Sequence, residues 1–231
     1  MSTGPRSTRA IADPDRIIWV RPQTVKFKIA GSREFKIGLA GVLPGDWDLQ
    51  RQEIEGTEKF RSIVQHFTEG KVWEETELFS IYADRFRRGE VVRGCRNMDQ
   101  LKKSYLQVDQ IFSRLKTEGF RLPQRGKDSL PHVHIARDGE ILFGRGGNHR
   151  FAMARILKLE NFPCVVHARH ERWQETRDKI FALSRPPLQK LHYPTLVDHP
   201  DLADILPSEI HSTRILQRAI EMVRGWYSQT R

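Results

Sequence analysis

Apolar residues fall along this chain in two rhythms. Arg16-Ile-Ile-Trp-Val20 is a short apolar run, and Val25, Phe27 and Ile29 alternate with polar neighbours. Both read as strands, with Phe35–Ile37 as a third after a Gly31-Ser32 turn. From Thr57 the spacing turns helical. Phe60, Ile63, Val64 and Phe67 follow a capping threonine and stop at Gly70. Leu78, Phe79, Tyr82 and Phe86 form a second helical stripe, with Glu74, Glu75 and Glu77 near its start, where the helix dipole favours acids. Asn97 then caps a long helix whose apolar side is Leu101, Tyr105, Val108, Phe112 and Leu115, ending near Gly119.

Past that helix the period returns to two. His132 to Phe143 reads as a β-hairpin turning at Asp138-Gly139. A helix follows, with Phe151, Ala154 and Leu157 on one face, and then a strand over Phe162–Ala168. His167, His170 and Trp173 are read as opening a charged helix that runs to about Leu183. Ser184-Arg-Pro-Pro187 breaks it, a prolyl loop follows, and Ser212 caps a last helix carrying Ile215, Leu216, Ile220, Met222 and Val223. The expectation is an α+β fold: a mixed sheet flanked by helices. Residues 1–12 are read as a mobile tail, 13–97 as N-terminal strands with a helical elaboration, and 171–231 as a C-terminal helical extension.

The junction between hairpin and helix carries the chemistry. Ile141-Leu-Phe143 leads into Gly144-Arg-Gly-Gly-Asn-His-Arg150. Gly146 and Gly147 permit positive φ and close approach of a ligand to the backbone. Asn148 is a preferred N-cap. A helix that starts after a glycine turn presents amide N–H groups and the positive end of its dipole, which suits an anion. His149 and Arg150 add side-chain donors there. The same residues would also serve a plain capped turn.

The order helix, hairpin, Gly-Gly-Asn-His-Arg, helix, strand resembles the ParB/sulfiredoxin superfamily over roughly Met98 to Arg169. Sulfiredoxins carry Gly-Gly-Cys-His-Arg after a strand, and Arg150-Phe-Ala-Met-Ala-Arg-Ile-Leu-Lys-Leu-Glu-Asn-Phe-Pro-Cys-Val-Val166 is similar to the ParB-type continuation. Residues 98–170 are accordingly expected to form a ParB/sulfiredoxin-like core. Asn148 stands at the sulfiredoxin cysteine, so sulfinate reduction through that residue is not expected, and the ParB glutamate is also missing. What the resemblance implies is a nucleotide cofactor (ATP, ADP or CTP, with Mg²⁺) held by Gly146, Gly147, Asn148, His149 and Arg150. It also implies a hydroxyl from the long helix near the nucleotide, for which Ser113 is the candidate. The superfamily contains nucleotide-dependent serine kinases, so a phosphotransferase acting on a small hydroxyl-bearing substrate is the leading expectation. His149 would be a donor or an acid–base group. The alternative is a nucleotide-responsive DNA-binding protein or nuclease.

Further candidates lie outside the motif. Pro44-Gly-Asp-Trp-Asp48 is a turn carrying two carboxylates, so Asp46 and Asp48 are candidates for a catalytic base or a Mg²⁺ ligand; the competing reading is a solvated turn with Trp47 in the core. Arg87, Arg88, Arg93 and Arg96 form a basic loop able to clamp phosphate, and Arg125 and Lys127 lie in a second one. His132 and His134 share one face of a strand, but no cysteine or acidic cluster completes a zinc site. Cys95 and Cys164 form neither a CxxC nor a disulfide framework, and Cys164 reads as a small apolar residue.

Charge narrows the partners. Thirty-nine lysines and arginines against 29 acids give a net charge of +10, which favours anions: nucleotides, phosphorylated metabolites or nucleic acid. The positive residues are dispersed, without the stripe of a dedicated nucleic-acid binder, and no helix-turn-helix pattern follows the motif region. No apolar run is long enough to span a bilayer, and the N-terminus lacks the apolar core of a signal peptide. Cytoplasmic location is the expectation.

Overall fold

The sheet is built around one long strand, Phe162–His170, every residue of which is buried. A computed structural model describes residues 10–14, 16–30, 39–122, 130–183, 196 and 198–206. The expected strand at Phe35–Ile37, the loop residues Arg125 and Lys127, the prolyl loop around Tyr193-Pro194 and the helix after Ser212 lie outside them. In chain order the strands are β1 (Ile17–Val20), β2 (Phe27–Ile29), β3 (Gly41–Leu43), β4 (Arg51–Glu53), β5 (His132–Ile135), β6 (Ile141–Phe143) and β7 (Phe162–His170). The helices are α1 (Glu58–Phe67), α2 (Glu77–Arg87), α3 (Met98–Glu118), α4 (Asn148–Ile156) and α5 (Glu171–Leu183). The chain is thus α+β, with a mixed sheet of seven strands and five helices among the described residues. None of these helices is long and apolar enough to cross a membrane.

The sheet order is β1-β7-β5-β6-β2-β4. One edge of β7 carries β5 in parallel. The other is divided: antiparallel β1 pairs its first half, Ile17 opposite Val165, and parallel β3 its second half, Leu43 opposite His170. The β5–β6 hairpin turns through Arg137, Asp138 and Gly139, with Ala136 N–H bonded to the Glu140 carbonyl. Gly139 takes φ 89°, the left-handed position such a three-residue loop requires.

Alternation along the strands sorts the two faces. Val133, Ile135, Phe143, Cys164 and Val166 join Phe151 and Phe162 in one apolar core. Ile29, Trp47, Ala136 and Leu142 form a smaller cluster. The helical stripes of α1, α2 and α3 meet in a third, around Trp73, Phe79, Leu101 and Tyr105, which takes in Ala152 and Met153 of α4. Thr57 and Asn97 cap α1 and α3 as their sequences require, accepting from the Phe60 and Gln100 amides.

Three readings are corrected. The left-handed cap of α4 is Gly147 (φ 56°, ψ 21°), and Asn148 is the first helical residue, with no side-chain cap. Strand β7 continues through His167, Ala168, Arg169 and His170, so the helix begins only at Glu171. These polar residues stay in the sheet because each charge or ring is satisfied inside. Arg169 makes a two-point ion pair with buried Asp201 (2.8 and 2.5 Å), and His170 Nε2 donates to the Gly45 carbonyl at 2.7 Å. Third, the stretch read as a tail ends anchored: the Ala10 amide donates to Asp178 at 2.7 Å, and Ala10 is buried.

Candidate functional site

The turn after β6 is pressed against its own chain on one side and open on the other. Gly146 and Gly147 take φ 76° and 56° in succession. A Cβ on Gly147 would stand 2.7 Å from Pro131 Cγ, so only glycine fits there. Gly146 remains exposed, and Asn148, His149 and Arg150 are half-buried. The corner is therefore accessible, and α4 starts in it with the positive end of its dipole.

His149 is held from two sides. Arg93 Nη1 lies 3.2 Å from its Nδ1 and 3.3 Å from its Nε2, and the Tyr105 hydroxyl lies 3.2 Å from Nε2. A guanidinium can only donate. Whichever ring nitrogen meets Arg93 therefore accepts, and the Tyr105 hydroxyl holds the ring from a second side. Burial, then Arg93 and Lys59, push the His149 pKa down to about 3, so the ring is neutral at physiological pH.

Arg93 reaches this position from a two-residue turn. Val92 and Cys95 exchange backbone hydrogen bonds, and the residues between them, Arg93 and Gly94, both have positive φ (54° and 77°). The left-handed region is costly for a residue with a Cβ. The guanidinium also stacks 5.0 Å from the Tyr105 ring centroid. Lys59 of α1 and Lys28 of β2, the latter opposite Phe143 in the ladder, complete a cationic cluster. Burial, followed by Lys28 and Arg93, lowers the Lys59 pKa, and the opposing influence comes from Glu58. Cations thus crowd one another beside a helix N-terminus.

Arg150 takes a different direction. One helical step from His149, it lines a cleft of about 650 Å³ against the C-terminal part of α3. Its guanidinium lies 3.5 Å from where a Cβ on Gly147 would stand, so it folds back over the turn. Burial lowers its pKa.

The remaining sequence candidates are not brought to this corner. Asp48 is fully buried at the opposite end of the hairpin, where the Arg137 amide and guanidinium bond it at 3.0, 2.9 and 2.7 Å. Burial raises its pKa, but the Arg137 hydrogen bonds outweigh this and hold it below the usual carboxylate range. Asp46 is exposed and shares the same guanidinium at 2.7 Å. Trp47 is the core plug of this turn. Asp48 therefore anchors the β3 loop to the hairpin, and neither carboxylate faces His149. Ser113 sits on the exposed side of α3.

His132, His134 and His167 gather on one face of the sheet, with ring centroids 5.3 and 5.5 Å apart. Among the described residues, no group of three or more His, Cys, Asp or Glu side chains is placed to hold a metal ion. The donors at the α4 corner are cationic or neutral and do not fit a protein-held Mg²⁺, which demands oxygen ligands. Both cysteines are buried and free, and burial raises the Cys164 thiol pKa.

Comparison with protein-family models, with curated proteins and with solved structures found no match.

Proposed function

We propose that this chain binds the phosphates of a nucleoside di- or triphosphate at the α4 corner. The observation that carries the reading is the contact of Arg93 with a neutral His149, with Lys59 in electrostatic reach of both, at a helix N-terminus. Like charges crowded at an exposed corner repel one another until an anion enters, and a polyphosphate relieves that repulsion while accepting amide and guanidinium hydrogen bonds. The element order and the Gly-Gly-Asn-His-Arg motif support a ParB/sulfiredoxin-like version of the fold.

Phosphoryl transfer to a small hydroxyl-bearing acceptor is the activity that suits this inventory. Such transfer draws chiefly on positioning and charge compensation. His149 enters as a neutral hydrogen-bonding group, since a ring with a pKa of about 3 is a weak base. Asp46 and Asp48 have no part in the step, being held by Arg137.

Calorimetry with ATP, ADP and CTP on the wild type and on Arg93→Ala, His149→Ala and Arg150→Ala tests the binding. Each variant should weaken binding by about tenfold or more, the worth of one charge-assisted hydrogen bond. Unchanged affinity in all three removes the site. Nucleotide consumption with added alcohols then tests turnover. Steeply salt-dependent binding of duplex DNA, without a nucleotide effect, would favour the nucleic-acid alternative.

A further inference from the structure

We infer that Lys59 and Lys28 extend the α4 corner into a row of cations that selects a chain of three phosphates over shorter ones. This deepens the function proposed above and rests on it: the ligand is a nucleoside triphosphate, and the diphosphate binds more weakly. Three elements supply the row. Arg93 meets His149 at 3.2 Å from the turn before α3. Lys59 lies in the first turn of α1, two residues after the Thr57 cap. Its neighbour Phe60 carries the Arg155 guanidinium of α4 5.7 Å from its ring centroid, which seats that turn of α1 against α4. Lys28 pairs with Phe143, the last residue of β6 before the glycine turn.

Which charge acts on which sets the order along the row. After burial, Arg93 and Lys59 lower the pKa of His149; after burial, Lys28 and Arg93 lower that of Lys59. Lys59 thus stands between the Arg93–His149 pair and Lys28. Among the described residues, none of the three cations has a carboxylate within ion-pair distance. Arg61 of α1 and Arg85 of α2, by contrast, are paired with Glu77 and Glu90. Glu58, beside Lys59 in the chain, offsets the repulsion only in part. Salt screens exposed charges over about 8 Å, so separate counter-ions relieve such crowding diffusely. Linked negative charges relieve it with one loss of translational freedom, because each further contact is intramolecular. One phosphoryl group takes the place beside Arg93, His149 and the α4 amides. The second reaches Lys59 and the third Lys28. A lysine meets phosphate as a point charge and needs no fixed fork, which suits successive groups of a flexible chain.

The test is calorimetry of the full chain with inorganic phosphate, pyrophosphate and tripolyphosphate, followed by ADP and ATP. Affinity should rise about tenfold at each added phosphate. Lys28→Gln should remove the last step and spare the first, whereas Lys59→Gln should remove the first. Lys103→Gln, the same charge change at an exposed position of α3, should leave the ladder as it is. Tripolyphosphate binding no tighter than pyrophosphate overturns the inference. So does a Lys103→Gln effect as large as that of Lys28→Gln, since net charge alone would then govern binding. Equal affinity for ATP and ADP removes the row while leaving the nucleotide site in place. A lysine-dependent ladder without any nucleotide binding would keep the row and sink the function proposed above.

Discussion

Arg93 Nη1 sits 3.2 Å from Nδ1 and 3.3 Å from Nε2 of His149, on a backbone held at φ 54°. A strained residue is thereby spent on bringing a cation against an imidazole that burial keeps neutral. Replacing it with glycine separates strain from charge. In Arg93→Gly the left-handed cost of about 1–2 kcal/mol disappears, offset by the lost ring stacking and by the freer unfolded chain. The thermal midpoint should stay within a few degrees of wild type while nucleotide affinity falls about tenfold or more. A variant that binds normally would show that Arg93 is only a turn residue.

Tyr105 holds the same ring from a second side. Tyr105→Phe keeps the apolar contacts of a fully buried side chain but removes the hydroxyl 3.2 Å from Nε2. The expected cost is about 1 kcal/mol in denaturant unfolding, with weaker nucleotide binding because the imidazole loses one of its two polar partners. Equal stability and affinity would mean the contact contributes nothing.

The two glycines should differ sharply. Gly147→Ala places a methyl 2.7 Å from Pro131 Cγ at a left-handed residue. A loss of about 2–4 kcal/mol is expected from strain and overpacking together. At Gly146 the nearest atom is the Leu130 carbonyl oxygen at 3.4 Å, so only the backbone term of about 1–2 kcal/mol applies. Chemical denaturation of both variants checks the order.

Asp48 is expected to matter for stability and not for ligand. Asp48→Ala strips a buried acceptor from Arg137 and should cost about 1–3 kcal/mol, because the guanidinium left behind is partly exposed and keeps Asp46. Asp46→Asn, at an exposed position, should change unfolding by less than about 1 kcal/mol. Nucleotide affinity should be unaltered in Asp46→Asn. A slowed transfer rate in that variant would restore the role read for this loop from the sequence.

Acid should unfold the protein partly through two rings. His149 and His134 both have pKa values lowered from 6.5 to about 3, in each case first by burial. Between those values the unfolded chain binds more protons than the native one, so stability is complete above pH 6.5 and declines as pH falls toward 3. His149→Gln should flatten that decline in unfolding curves taken between pH 7 and pH 4. An entering phosphate acts oppositely on His149 and raises its pKa. Nucleotide binding should therefore take up a fraction of a proton near pH 6, measurable as a buffer-dependent enthalpy.

Periodicity made the apolar architecture legible. Helices α1 and α3, with their capping residues, and the hairpin at Asp138-Gly139 follow from spacing alone, because packing and local propensity agree there. Strand β4 escaped notice since Arg51, Gln52 and Glu53 carry no apolar signal and are held by backbone pairing with β2. The end of β7 was read as helix because partners for its polar residues lie far along the chain, Asp201 for Arg169 and Gly45 for His170. The same distance hid the link between Asp48 and Arg137. At the corner, Gly146 to Arg150 stood out in the sequence. Arg93 appeared only as one arginine of a basic loop, because its left-handed turn lacks the usual asparagine or glycine at that position.

The divided edge of β7 bears on how the chain can be cut. A fragment beginning at residue 98 would keep the whole motif yet lose both strands that cover that side of β7. The bared edge would offer the unsatisfied amides and carbonyls of alternate residues of β7 to any neighbouring molecule. Such a piece would be prone to stick to itself rather than stand as an independent module. The first forty-odd residues thus act as a protective hem for a strand made more than a hundred residues later.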